Sequence, residues 1–327
     1  MLKFFNALSR LFTPAKYPSD SATEPAQITQ CKVLLIVYDP VMDPATGITL
    51  SQKQKWYRTT DLITGFILDM LQVSGGMARF QIVQRVDVNE FPAKVDGFRY
   101  TPKTYLDVLQ NKSAPHTPAE VDYNAILAKY NVLQRVAQNE IDEVWVFGFP
   151  HAGFYESTMG GPGAFWCNAP PMKNTESSKR RFVVMGFSYE RHIGEMHEAY
   201  GHRAESIMEK TFGKLSGEAN LWQRFIRYEK VAPGQAACGN IHFAPNNQKD
   251  YEWNNLTPVS SECYDWLLNF PNFKGDRRIV GSMEWGSGDI REHHKWWFSH
   301  FPRVAGRKNG IHNNWWQYVV NPQSVIL

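Results

Sequence analysis

Cysteine is scarce in this chain of 327 residues: the four are Cys31, Cys167, Cys238 and Cys263, and no two of them form a C-x-x-C pair. That spacing excludes a zinc ribbon and a thioredoxin-type redox motif. A Cys238–Cys263 disulfide stays open. Long apolar runs are also missing. No stretch reaches the roughly 18 to 20 apolar residues of a membrane-spanning helix, so a soluble protein is expected. Neither sign of charge dominates, since 35 Lys and Arg stand against 32 Asp and Glu for a net charge of +3. Without a basic block to track phosphates, nucleic acid is not an expected partner. The G-x-S-x-G elbow, the Walker A loop and a G-x-G-x-x-G turn after the first strand are all missing, which sets aside α/β-hydrolase, P-loop and dinucleotide-binding readings. Near the start, Phe4, Phe5, Leu8, Leu11 and Phe12 are interrupted by Asn6, Ser9 and Arg10, so a secretory signal is not expected there. The triplets Asn111-Lys-Ser and Asn255-Leu-Thr fit a secreted chain, and the compartment stays open between cytoplasmic and secreted.

Aromatic residues, by contrast, are abundant: 11 Trp, 14 Tyr and 20 Phe. The tryptophans concentrate toward the C-terminal third. Such a segment is either a core whose indole N–H groups find partners or a stacking surface for sugars.

The organisation is read from hydrophobic period. Lys32-Val-Leu-Leu-Ile-Val-Tyr38 is a continuous apolar run ending in Asp39-Pro40, the pattern of a strand buried on both faces. A helix is predicted at about 52–73, a strand from Phe80 to Val86, a helix from Ala119 to Asn139, a strand from Glu143 to Gly148, a strand from Arg181 to Phe187 and a helix at about 190–213. The alternation predicts an α/β fold: a mostly parallel sheet with flanking helices, plus an irregular aromatic-rich C-terminal layer. The expected division is a short helix and flexible linker over 1–30, an α/β domain over 31–230 and a Trp-rich covering segment over 231–327. In open parallel sheets ligands bind beyond the carboxyl ends of the strands. That rule points to Asp39, to the segment starting Pro150-His-Ala-Gly, and to Ser188-Tyr-Glu190-Arg-His.

The helix after the fourth strand holds the sharpest chemistry. On a regular helix Glu195, Glu198, His202, Glu205 and Glu209 fall within about 80° of one another. Ile193, Met196, Tyr200, Ile207 and Met208 gather opposite, and His197 lies on that apolar side. An acidic row with a histidine is either a solvated face or a cation site. If the C-terminal layer covers it, His242, His293, His294 or His300 is available as a further ligand. His197 and His202 lie about 140° apart, so a shared metal would need a π-bulge at Gly201.

Within this helix, His197-Glu198-Ala-Tyr-Gly201-His202 resembles the HExxGH zinc motif of dipeptidyl peptidase III-type metallopeptidases. The resemblance implies His197 and His202 as zinc ligands and Glu198 as catalytic base. It leaves the third ligand among Glu205, Glu262 and Glu284. Longer strings, Gly153-Phe-Tyr-Glu-Ser, Gly161-Pro-Gly-Ala-Phe-Trp-Cys-Asn, Gly186-Phe-Ser-Tyr-Glu-Arg and Asn313-Asn-Trp-Trp among them, are similar to a group of bacterial and fungal proteins with no assigned activity, over most of 32–322.

The expectation is a zinc-dependent, peptidase-like hydrolase. His197, His202, Glu205 and Glu195 are its candidate ligands and Glu198 and Glu190 its catalytic carboxylates, and the substrate is a small molecule, peptide or glycan. The alternatives are a glycan-processing or carbohydrate-binding protein, with Glu156 and Glu190 as acid and base and C-terminal Trp platforms, and a non-catalytic interaction protein.

Overall fold

The computed structural model describes residues 19–327; the N-terminal helix expected over the first dozen residues lies outside them. Five strands form the central sheet: β1 (Thr29–Tyr38), β2 (Ala78–Val88), β3 (Glu143–Gly148), β4 (Ser157–Gly160) and β5 (Phe182–Ser188). Their order is β2-β1-β3-β5-β4, parallel throughout except for β4, which runs antiparallel to β5 at one edge. The mixed α/β architecture expected from the alternation is therefore present. Every residue of β3 is buried, as are Val33 to Tyr38 of β1, which is why these strands read as unbroken apolar runs. Strand β2 is the other edge. It exposes Gln81, Gln84 and Arg85, polar side chains that discourage pairing with another chain.

Three helices position the site. Helix α1 (Thr59–Val73) and helix α2 (Ile193–Phe212) contact each other, and helix α3 (Ile290–Ser299) packs on both. The N-terminus of α2 is closed by a capping box in which the Glu195 carboxylate accepts from the His192 backbone N–H at 3.0 Å. The helix is covered on more than one side, because two glycines admit neighbours to its backbone. A β-carbon on Gly194 would stand 2.5 Å from Ile290, and one on Gly201 2.3 Å from Ile241. The second contact brings the loop that carries His242 down onto the helix.

The aromatic segment forms core. Trp222, Trp253, Trp266, Trp285, Trp297, Trp315 and Trp316 are each exposed by 4% or less. Three of their indole N–H groups bond to loop carbonyls: Trp253 to His242, Trp285 to Trp253 and Trp297 to Gly239, each at 3.0 Å. These tryptophans hold the His242 loop and keep no open face for stacking a sugar, whereas Trp296 in the same segment is half-buried.

Four local differences from the sequence reading have physical causes. The helix expected over 52–73 is two helices, Leu50–Gln54 and α1, separated where Lys55 takes a left-handed conformation. The helix expected over 119–139 is likewise split into Tyr123–Lys129 and Val132–Ala137, with Asn131 left-handed at the break. Strand β4 falls in what reads as loop; Ser-Thr-Met-Gly has no apolar run, and its burial comes from the chain that folds back over it, with Thr158 donating to the Pro170 carbonyl at 2.9 Å. Residues 19–28, linker-like in composition, are tied to the antiparallel pair Arg303–Lys308 and Ile311–Asn314 through the Ser21–Arg307 bridge and a bidentate Glu24–Arg307 pair at 2.8 and 2.9 Å. All four cysteines are buried free thiols. Among the described residues no helix is long and apolar enough to cross a membrane.

Candidate metal centre

Glu198 and His202 are four residues apart on α2 and therefore share one face. His242 reaches the same point from the loop lying over Gly201. Its Nε2 stands 3.1 Å from His202 Nε2 and 3.2 Å from Glu198 Oε1, and His202 Nε2 is 4.0 Å from the same carboxylate oxygen. These three side chains form a group that can hold a metal ion, their ligand atoms all lying within 4.8 Å of one another.

Second-layer contacts set the orientation of both rings. His202 Nδ1 is 3.0 Å from Glu205 Oε2, and His242 Nδ1 is 3.1 Å from Asp250 Oδ1. A carboxylate at Nδ1 favours the proton there and turns the lone pair of Nε2 toward the centre, the arrangement common around histidine ligands. Two such lone pairs 3.1 Å apart repel unless a cation, proton or metal, lies between them. Glu205 does more than orient His202, because its other oxygen accepts from the Ile241 N–H at 3.2 Å and so ties the His242 loop to α2. Replacing Glu205 by Gln is expected to weaken the binding of a metal ion here about 10- to 100-fold while leaving the three ligands in place; competition titration against a chelator measures it.

The electrostatics favour a cation. Burial alone would raise the Glu198 carboxyl, but the contacts from His242 and Tyr251 outweigh it and bring the group down to about 2. Burial likewise opposes charge on His202; Glu205, Glu156 and Glu198 together overcome it and push the imidazole above its ordinary range. Glu156, held by Asn168 Nδ2 at 2.6 Å, places Oε2 4.0 Å from His202 Nε2. It also lines a cavity of about 480 Å³ at the carboxyl ends of β3 and β5, together with Phe149, Phe154, Met196 and Glu190. The binding-site rule for parallel sheets and the helix motif thus lead to adjoining places, and Glu156 joins them.

The remaining sequence candidates are distributed as follows. Glu195 lines the cavity and caps α2, away from the three convergent atoms. Glu190 lines the same cavity, 3.9 Å from Arg191. His197 does not join the centre: the regular helix turns it to the opposite side, where it is fully buried with Nε2 3.3 Å from Asp69 Oδ2. Burial, then the nearby cationic groups, hold it well below the ordinary histidine range, hence neutral. His293 is buried and stacked on Trp253 at 4.7 Å, His294 lies between the carbonyls of Gly194 and Ile241, and His300 contacts the Trp296 carbonyl. Glu262 is paired with Arg224 and Arg277, and Glu284 accepts from Tyr264. Asp250 and Tyr251 escaped the sequence reading because nothing in the string Lys249-Asp-Tyr-Glu marks it as adjacent to a helix some forty residues earlier.

Comparison of the chain with protein-family models, curated proteins and solved structures finds no match.

Proposed function

We propose that this protein is a metal-dependent hydrolase whose divalent ion is held by Glu198, His202 and His242. The observation that carries the reading is the convergence of two Nε2 atoms and one carboxylate oxygen, with each ring fixed at Nδ1 by its own carboxylate. Two histidines and a glutamate with a further open position form a ligand set used by catalytic zinc. A bound ion of this kind lowers the pKa of a water molecule toward neutrality. Glu156 is the proposed general base, since it borders both the centre and the cavity. It takes a proton from the attacking water as the oxygen bonds to the substrate's carbonyl carbon, and it returns that proton to the leaving group as the old bond breaks. Phe149, Phe154 and Met196 offer the cavity's apolar wall to the substrate, a peptide or other acyl compound.

In this reading Glu198 becomes a ligand instead of a base, and His242 takes the place that the motif resemblance gives to His197. Purified without chelator or histidine tag, the protein is expected to bind close to one equivalent of zinc per chain. Replacing Glu156 by Gln should keep that zinc and lower hydrolysis, in a screen of peptide and ester substrates, by about 10²- to 10⁴-fold. A chain that takes up less than about a tenth of an equivalent after dialysis against zinc has no such centre, since a full set of oriented ligands binds tightly.

A further inference from the structure

Tyr251 brings a fourth donor atom, its phenol oxygen, to the same point. Its hydroxyl lies 2.6 Å from Glu198 Oε1 and 2.9 Å from His242 Nε2, as close to these atoms as they are to each other. The residue is half exposed, yet it is firmly held. Its N–H donates to the His242 carbonyl at 3.3 Å, its ring lies 4.4 Å from that of His242, and it meets Trp253 edge-on at 5.2 Å. The same His242 carbonyl accepts from the Trp253 indole at 3.0 Å, and the preceding residue, Asp250, orients the His242 ring. Tyr251 adopts a positive φ of 58°, an unfavourable conformation for a bulky side chain and one that tends to persist where function requires it.

We propose that Tyr251 is a fourth protein ligand of the ion, binding through its phenolate oxygen beside the position left to the reacting water, which makes the ion five-coordinate when water is bound; the inference rests on the metal centre described above. As the oxygen–metal bond forms, the O–H bond, which points at Glu198 Oε1, would break and its proton would leave to solvent. A carboxylate, two imidazoles and a phenolate make a harder donor set than the first three alone, so the centre should accept ferric iron as well as zinc.

The test uses the full chain and two probes, ferric iron supplied as its citrate complex and zinc. The wild type loaded with iron should show a phenolate-to-iron charge-transfer band in the visible. Loaded with zinc, it should show the ultraviolet difference spectrum of one tyrosinate. Tyr251→Phe keeps the ring against His242 and Trp253; it should lose either signal and bind the metal about tenfold or more weakly. Metal bound at one equivalent with neither tyrosinate signature, or a signature that survives in Tyr251→Phe, overturns the inference while leaving the three-ligand centre intact. A wild type that takes up neither iron nor zinc overturns the centre and this inference with it.

Discussion

Replacing His242 by alanine is expected to abolish binding at the proposed metal centre and spare the fold, and replacing His197 by alanine is expected to do the reverse. His242 sits on a loop whose attachment runs through backbone atoms: its carbonyl accepts from the Trp253 indole, and Trp297 anchors the Gly239 carbonyl nearby. Alanine keeps those bonds. What it removes is the Nε2 atom 3.1 Å from His202 and 3.2 Å from Glu198. Partners outside the ligand set already alter affinity about 10- to 100-fold, so losing a ligand should exceed about 100-fold. His197 has no such task. It is fully buried, its 3.3 Å approach to Asp69 is not a hydrogen bond and neither ring nitrogen has another partner, and the ring packs 5.4 Å from Phe66. Its removal opens a cavity in the layer between α1 and α2, at a cost of about 2–5 kcal/mol, the range for large-to-alanine changes in a core. Denaturant titration and elemental analysis of both variants separate the cases. If His197→Ala sheds its zinc at unchanged stability while His242→Ala retains it, the ligand assignment given by the HExxGH resemblance stands and the one drawn from the geometry falls.

The contrast between these two histidines also shows what the sequence could carry. Glu198 and His202 are legible because helical geometry is local: four residues apart means one face, whatever the rest of the chain does. The same arithmetic places His197 on the apolar side, and the structure puts it there. His242 is a different matter. It lies in a stretch with neither helical nor strand period, and its approach to α2 depends on Gly201 lacking a side chain where Ile241 packs. A reader of the sequence can name His242 among the histidines of the covering layer but cannot rank it. Asp250 and Tyr251 depend on that loop in turn and are less visible still. The same division holds in the fold. Strands β1, β3 and β5, buried on both faces, announce themselves as apolar runs. Edge strand β4 does not, since its burial is supplied by residues 167–172 folding back onto it.

The largest expected loss of stability lies behind the site, in the ion pair between Arg203 of α2 and Glu143 at the start of β3. Arg203 donates to Glu143 Oε2 at 2.6 Å and to the Val320 carbonyl at 3.3 Å, and the Trp145 indole donates to the other carboxylate oxygen at 2.5 Å. Both charges are buried, with relative exposures of 0% and 1%. Arg203 immediately follows His202, so the pair also fixes the turn of helix that presents Glu198 and His202. Arg203→Ala leaves the Glu143 carboxylate in the core with only neutral partners, the Trp145 indole and the Cys31 thiol, and the expected cost is about 3–5 kcal/mol, the penalty for breaking a buried pair by removing one member. The cause of that loss is testable separately from its size. If it comes from an uncompensated charge, the double variant Arg203→Met with Glu143→Leu should recover most of it, because apolar side chains of similar volume replace a buried pair at little or no cost. Urea unfolding of the wild type, the single variant and the double variant measures both terms. A double variant as unstable as the single one would assign the loss to packing around Tyr200, over which the Arg203 guanidinium lies at 4.9 Å, and the ion pair would then hold the helix in place without being the source of its stability.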